Sequence, residues 1–450
     1  MRVLTYGTLL LLLQFVSLQL LAQEWEITTL SPMPEPVTNN AVVEGFVNGK
    51  AYVYSFAGLD STKVGSTGAH LKAFRYDVEL DQWETLPDLP DPNGGKVAAS
   101  ANRIGNIIYI VGGYHILANG SEISSNLVHR FDLVTNQYLS NAADIPLRID
   151  DQVQGVWRDS LLYVITGWSG NAAAGTNTPN TQIYNPTTDS WSFATQMPNT
   201  DDYKSFGSAG YILGDTIFYF GGASSSCCTP PFPIQNKIRK GVINPENPQS
   251  IAWSIETQPA GAVGYRMAAR KVNQSICWFG GSGDTYNYNG LSYLDDSGVA
   301  PLNRILSYAP ISGTWEETLI DELPMDLRGI AVISPTVSYL AGGMLANQKV
   351  SDKLYRLTYL GEILSQANIP TETVHIFPNP VQENVQVILP LQSKASAYRV
   401  SNAFGQVLLE GSLSGGTTTI NLSHLPNGNY QLQIRYPQQY SSYKLLKIKP

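Results

Sequence analysis

The stretch Asn106-Ile-Ile-Tyr-Ile-Val-Gly-Gly113 is a short apolar strand that runs into a double glycine, and it recurs. Its copies are Ala51-Tyr-Val-Tyr-Ser-Phe-Ala-Gly58, Leu161-Leu-Tyr-Val-Ile-Thr-Gly167, Thr216-Ile-Phe-Tyr-Phe-Gly-Gly222, Ser275-Ile-Cys-Trp-Phe-Gly-Gly281 and Val337-Ser-Tyr-Leu-Ala-Gly-Gly343. The six final glycines are 55, 54, 55, 59 and 62 residues apart. A repeat of that length, with a strand in each copy, implies an array of small sheets.

A second phrase follows each first one. Tyr76-Asp77 leads to Trp83, Phe131-Asp132 to Tyr138, Tyr184-Asn185 to Trp191, and Tyr308 to Trp315; the fourth copy is stretched and ends at Trp253. Two strands joined by a turn of Asp, Asn, Thr and Pro place both aromatics on one hairpin, where they cover the neighbouring sheet. Ala57 and Thr166 stand where the other copies have the first glycine. The glycines are expected where backbones crowd near a common axis.

This order of glycines, Tyr and Trp resembles the kelch repeat, over about residues 24 to 360. The resemblance implies a β-propeller with one four-stranded blade per repeat. The sixth repeat has Leu354-Tyr-Arg-Leu357 but no Trp after it, while Trp25-Glu-Ile-Thr-Thr-Leu30 near the N-terminus has no glycines before it. An N-terminal strand that completes the last blade would close the ring and remove its open edges. The expected fold is therefore all-β: a six-bladed kelch β-propeller followed by a small antiparallel β-sandwich.

The expected divisions are a signal peptide at 1–22, the propeller at 23–362, a linker at 363–372 and a C-terminal domain at 373–450. Leu9 to Leu21 is apolar and Leu20-Leu-Ala22 offers a small-residue cleavage site, the pattern of a secretory signal. Gln14 and Gln19 interrupt that run, which argues against a membrane anchor, and the mature form is expected to have no integral span. The tail opens with Val374-His-Ile-Phe377-Pro378-Asn379-Pro380, continues through alternating strands to Leu425-Pro-Asn-Gly428-Asn-Tyr430, and ends on a strand bearing Lys444, Lys447 and Lys449. These phrases resemble the type A C-terminal sorting domain of the bacterial type IX secretion system. The resemblance implies export by that machinery to the outside or the outer-membrane surface of a Gram-negative cell, with the lysine strand as a docking edge.

Charge excludes one class of partner. Residues 23–370 carry 21 basic and 33 acidic side chains, against 6 and 3 in residues 371–450. An acidic propeller lacks the footprint for phosphate backbones, so no nucleic acid is expected. Three cysteines, Cys227, Cys228 and Cys277, are too few for a disulfide framework and lack zinc spacing; free thiols, a local restraint or a bond between adjacent blades all stay open. Some kelch propellers are copper-radical oxidases, but of His70, His115, His129, His375 and His424 none lies in blade five or six, where that family keeps its ligands. No metal or cofactor is expected.

A second enzymatic relative is the sialic acid mutarotase, which needs a positioned acid and base and an Arg for a substrate carboxylate. Residues that lead into the innermost strands supply candidates: Asn40, Lys96, Arg148, Lys204, Arg266 and Arg328, with Asp150 or Asp151 as proton carrier. The competing reading gives these residues structural partners around a wet channel. Long insertions after each glycine strand emerge on one rim and carry Tyr114, Trp168, Phe232, Tyr286 and Tyr288, either for recognising a glycan or protein, or for packing the loops together. The expected function is a secreted or surface propeller that binds a glycan or protein, with sugar mutarotation as the alternative.

Overall fold

A computed structural model describes residues 24–171, 174–225, 231–256, 261–361, 374–390, 393, 397–402, 407–436 and 439–449. The expected signal peptide, the linker, Cys227 and Cys228 lie outside these residues. Two units are separated between Ile363 and Leu364.

In the first unit, six sheets each follow a four-strand path, and in blades 1 to 5 the innermost strand is first in sequence. Blade 1 runs Ala41–Val47, Lys50–Leu59, Ala69–Asp77 and Gln82–Leu86; blade 2 runs Val97–Ile104, Ile107–Ile116, Val128–Asp132 and Gln137–Tyr138. Blades 3, 4 and 5 start on Val153–Trp157, Ala209–Leu213 and Ala268–Val272. Blade 6 takes Ala331–Val332, Val337–Ala341 and Leu354–Tyr359 from the C-terminal side, and its outermost strand is Trp25–Leu30, antiparallel to Leu354–Tyr359 with Trp25 opposite Tyr359. The ring is closed as the sequence implies.

Local chemistry explains the repetition. Second strands such as Ile108 to Val111 are buried on both faces because each lies inside a blade that is itself packed between neighbours. Tyr76, Phe131, Tyr184 and Tyr308 are direct cross-strand partners of Trp83, Tyr138, Trp191 and Trp315, with ring centroids 4.8 to 5.3 Å apart. The Tyr76 and Tyr184 hydroxyls donate to Asp81 and Asp189 in the hairpin turns, each at 2.6 Å. The indoles then reach back one blade: Trp83 Nε1 donates to Ser31 O (3.0 Å), Trp191 to Ala143 O (2.8 Å) and Trp253 to Thr195 O (2.9 Å). The aromatic phrase is thus both a hairpin filler and a rivet between blades.

The glycines act one layer further from the axis than expected. Gly112 has φ +67°, and a Cβ there would lie 2.3 Å from Ile149 O; at Gly221, with φ +71°, it would lie 2.0 Å from Gly264 O. In both cases the obstacle is the segment leading into the next blade, so the crowding belongs to the seam between second strands and neighbouring lead-ins. Ala57 (φ 53°) and Thr166 (φ 46°) keep the same left-handed backbone despite their side chains.

Trp25 shows how closure is held. It is 2% exposed and packs edge-on against Phe279 of blade 5 and Tyr359 of blade 6, both at 5.2 Å. Trp25→Ala is expected to lower unfolding free energy by about 3 kcal/mol, as for a large buried aromatic, read as a shift in the denaturant midpoint.

The second unit is a sandwich. One sheet pairs His375–Phe377, Asn384–Leu389 and Gly416–Asn421; the other is ordered Val407–Ser412, Ala397–Ser401, Gly428–Tyr436, Gln439–Lys447. Alternate residues Val385, Val387, Val400, Ile420, Leu432, Ile434 and Leu445 point inward and form its core. Asn379 fastens the last strand by donating to Lys444 O (2.8 Å) and accepting from Leu446 N (2.9 Å). Tyr430 Oη donates to Pro426 O at 2.7 Å. Lys444 is exposed, but Lys447 is 5% exposed and donates to Gln382 O at 2.6 Å, so it belongs to the fold and not to an open lysine edge.

Candidate functional site: a charged cluster on the propeller axis

Each inner strand carries one residue with left-handed backbone in its lead-in or, in blade 2, at its second position: Asn39 (φ 57°), Ala98 (57°), Asp151 (48°), Gly207 (65°), Arg266 (52°) and Asp326 (65°). The turn links one blade to the next. Ala98 N donates to Asn39 O (3.2 Å), Asp151 N to Ala98 O (3.3 Å), Gly207 N to Asp151 O (2.9 Å), Arg266 N to Gly207 O (2.7 Å) and Leu327 N to Arg266 O (3.0 Å). Left-handed backbone costs a non-glycine residue about 1–2 kcal/mol. Since Ala98 adopts it with no polar side chain, the strain at Asp151 and Arg266 is architectural.

At the sixth junction a side chain does the linking. The Asp326 carboxylate accepts from Thr38 Oγ1 at 2.7 Å and from Asn39 Nδ2, which ties blade 6 to blade 1. It also receives Arg266 Nη1 (3.3 Å) and Arg328 Nη2 (3.2 Å), while Asp151 receives Arg266 Nη2 (2.8 Å) and Arg328 Nη2 (3.0 Å). Two guanidinia and two carboxylates therefore neutralise each other, with side chains no more than 4% exposed. The Arg266 guanidinium also lies near the rings of Tyr265 (4.9 Å) and Tyr286 (5.1 Å), which meet each other edge-on.

Environment separates the neighbouring carboxyls. Burial works against the charge of Asp151, but Arg266 and Arg328 prevail and hold it below the usual carboxylate range. Burial, reinforced by the charge of Asp151, pushes Asp150 well up, and Ser124 Oγ donates to it at 2.5 Å. Glu122 is pushed up by burial to about 7, with Arg266 opposing the shift and Asp151 adding to it. One ionised and one neutral carboxyl side by side is an arrangement capable of acid–base work.

The sign of the pH effect follows. Glu122 in the fold binds its proton more tightly than at its ordinary 4.5, so the stability it confers is full below that value and is lost as pH rises through about 7. Asp150 shifts in the same sense. The denaturant midpoint is expected to fall between pH 5 and 8, and to fall less in Glu122→Gln.

The other named side chains go elsewhere. Lys96 is fully buried against Asp91 at 2.7 Å, beside His129 (3.0 Å from Lys96) and His115 (3.7 Å from Asp91). Asn40 donates to Ser55 Oγ (2.8 Å) and Ala341 O (3.1 Å). Arg148 is exposed and Lys204 partly so, and neither joins the axial cluster. Cations thus do not converge from five blades; Arg266 and Arg328 do. Asp326, Glu122 and Ser124 escaped sequence reasoning. Asp326 was detectable from its register, since it precedes its inner strand as Asp151 does.

The rim loops roof this cluster. Trp168 packs edge-on to Phe206 and Phe232 (both 5.5 Å), Phe232 to Tyr293 (4.9 Å) and Tyr265 to Tyr286 (5.1 Å). The blade 5 insertion crosses the axis: Tyr288 O accepts from Asn39 Nδ2 of blade 1 at 3.5 Å, and Tyr288 packs with Tyr114 and Ile116 of blade 2. Tyr114 is 3% exposed. These aromatics pack loop against loop, while Val64 (51% exposed), Leu117 (39%) and Leu294 (75%) face solvent on the same rim.

Cys277 is a buried free thiol 3.7 Å from Ser307 Oγ. Among the described residues no group of three or more His, Cys, Asp or Glu is placed to hold a metal ion, and no helix is long and apolar enough to cross a membrane.

Comparison with known proteins agrees with both halves of this description. The family model described as "Secretion system C-terminal sorting domain" matches residues 375–449. The chain is 28% identical over 146 residues to Kelch-like protein 36 of Bos taurus, covering 32% of this chain and 22% of that protein. It is 29% identical over 202 residues to Kelch-like protein terF of Aspergillus terreus, covering 43% and 40%. The chain thus spans about a fifth to two fifths of the length of these curated relatives. A solved structure titled "Structure of YjhT" is similar with TM-score 0.56 and 17% identity over 72% of this chain and 95% of that one, a likeness of fold. The protein is a six-bladed kelch propeller carrying a type IX secretion sorting domain, and that domain marks it for secretion and the cell surface.

Proposed function

We propose that the propeller is a recognition module displayed on the outer surface of a Gram-negative cell, where its glycine-strand rim binds a glycan or protein partner. The supporting observation is the state of the axis: Arg266 and Arg328 already hold Asp151 and Asp326, and the insertions fold over them, leaving Val64, Leu117 and Leu294 exposed on the rim. With their Nη groups already paired to Asp151 and Asp326, the two guanidinia are poor anchors for a substrate carboxylate, because a ligand must first displace a buried aspartate. The test is to probe a glycan array and immobilised surface proteins of the producing cell with the full chain. Saturable capture on either supports the reading, and none on both removes it.

Sugar mutarotation is the second reading, and Glu122 favours it. A carboxyl that titrates near 7 beside Arg266 suits general acid–base catalysis of ring opening. Anomer exchange of N-acetylneuraminate followed by NMR separates the readings: acceleration abolished in Glu122→Gln establishes the enzyme, and an unaccelerated rate leaves recognition alone.

A further inference from the structure

The channel holds a cavity of about 210 Å³ lined by the inner strands of all six blades. Asp151, Arg266 and Arg328 form one end of the lining. From there it passes Gln152 to Asn102, Arg103, Gln154 and Tyr211, which lie toward the turns joining first and second strands. Asp151 and Arg266 are at most 4% exposed, whereas these last four residues are partly exposed. The cavity is therefore approached from the face opposite the roofed rim.

Several polar atoms of its lining are buried without a partner: the acceptors Asn102 Oδ1 and Gln152 Oε1, and the donors Arg103 Nε and Arg328 Nε. Gln152 is 5% exposed and the Arg328 side chain 4%. A buried polar atom left unpaired costs about 1–3 kcal/mol. Mixed donors and acceptors suit hydroxyl groups, each of which both gives and accepts a hydrogen bond. The charges at the deep end cancel, and farther along the lining carries one residue of each sign, Glu44 and Arg103, so no one sign of ion is favoured. Tyr211 adds a half-buried ring, a surface for the C–H face of a sugar. The volume is below the roughly 300–1,000 Å³ of drug-sized pockets and equals about seven waters at about 30 Å³ each.

We infer that this end of the channel is a binding well for one neutral sugar ring. The inference is independent of the rim. It is tested on the full chain by saturation-transfer NMR with the methyl glycosides of glucose, galactose and mannose and with N-acetylglucosamine. At least one is expected to receive saturation, with affinity at least tenfold weaker in Asn102→Leu, Gln154→Leu and Tyr211→Leu variants whose circular dichroism matches the parent, and unchanged in Leu294→Ser. No transfer to any of the four sugars means that the well holds water only, and overturns the inference. So does transfer that survives every folded channel variant; loss in Leu294→Ser would then place the sugar on the rim.

Discussion

Asp326→Ala is expected to lower the unfolding free energy of the propeller by about 4–5 kcal/mol, the cost of removing one partner from a buried ion pair. The reason is the double duty of this carboxylate. It is the link between blades 6 and 1 at the one axial junction made by a side chain, through Thr38 and Asn39, and it balances half of the charge of Arg266 and Arg328. Without it two guanidinia share Asp151 in a buried site. Asp326→Asn keeps acceptor geometry for Thr38 but not the charge, so it should fall between the parent and alanine. Guanidinium melts of the three proteins check this, and a loss below about 1 kcal/mol, the worth of a surface pair, would show that the cluster is solvated.

Removal of residues 374–450 is expected to abolish delivery to the cell surface while leaving the propeller folded. The sorting domain has its own core, built from Val385, Val400, Leu432 and Leu445. The two units divide between Ile363 and Leu364, so the cut takes no propeller strand. Cell fractionation with an antibody to the propeller reads the result: truncated protein retained inside the outer membrane, against full-length protein outside. Asn379→Ala should give a partial defect, because it frees the edge of the last strand at Lys444 and Leu446 without removing the core. Surface delivery of the truncated chain at the parent level would contradict the assignment of the export signal to this domain.

The fold was legible because its signals are local and repeated. A strand into Gly-Gly and a hairpin with two aromatics carry the blade in themselves, and the unpaired phrase at Trp25 carries closure. The site was legible only in part, for reasons of register. Ring positions fall at 39, 98, 151, 207, 266 and 326. Asp151 and Arg266 occupy them and Arg328 stands two residues beyond, facing the axis. Lys96 precedes its ring position by two residues, and Arg148 and Lys204 precede theirs by three, where side chains point between blades or to solvent. Proximity in sequence to an inner strand was therefore too coarse a guide. The roles of Glu122 and Ser124 depend on loops folding across the axis, which no local pattern encodes.

The most direct test of rim recognition is equilibrium binding of a captured glycan or protein to three forms of the full chain: the parent, the triple variant Val64→Ser, Leu117→Ser, Leu294→Ser, and Glu122→Gln. All three rim positions are exposed, so the substitutions leave the core intact. Recognition on the rim predicts at least a tenfold loss of affinity in the triple variant and parent-like binding by Glu122→Gln. Parent-like binding by the triple variant, with loss in Glu122→Gln, would contradict it and place the ligand at the charged cluster on the axis.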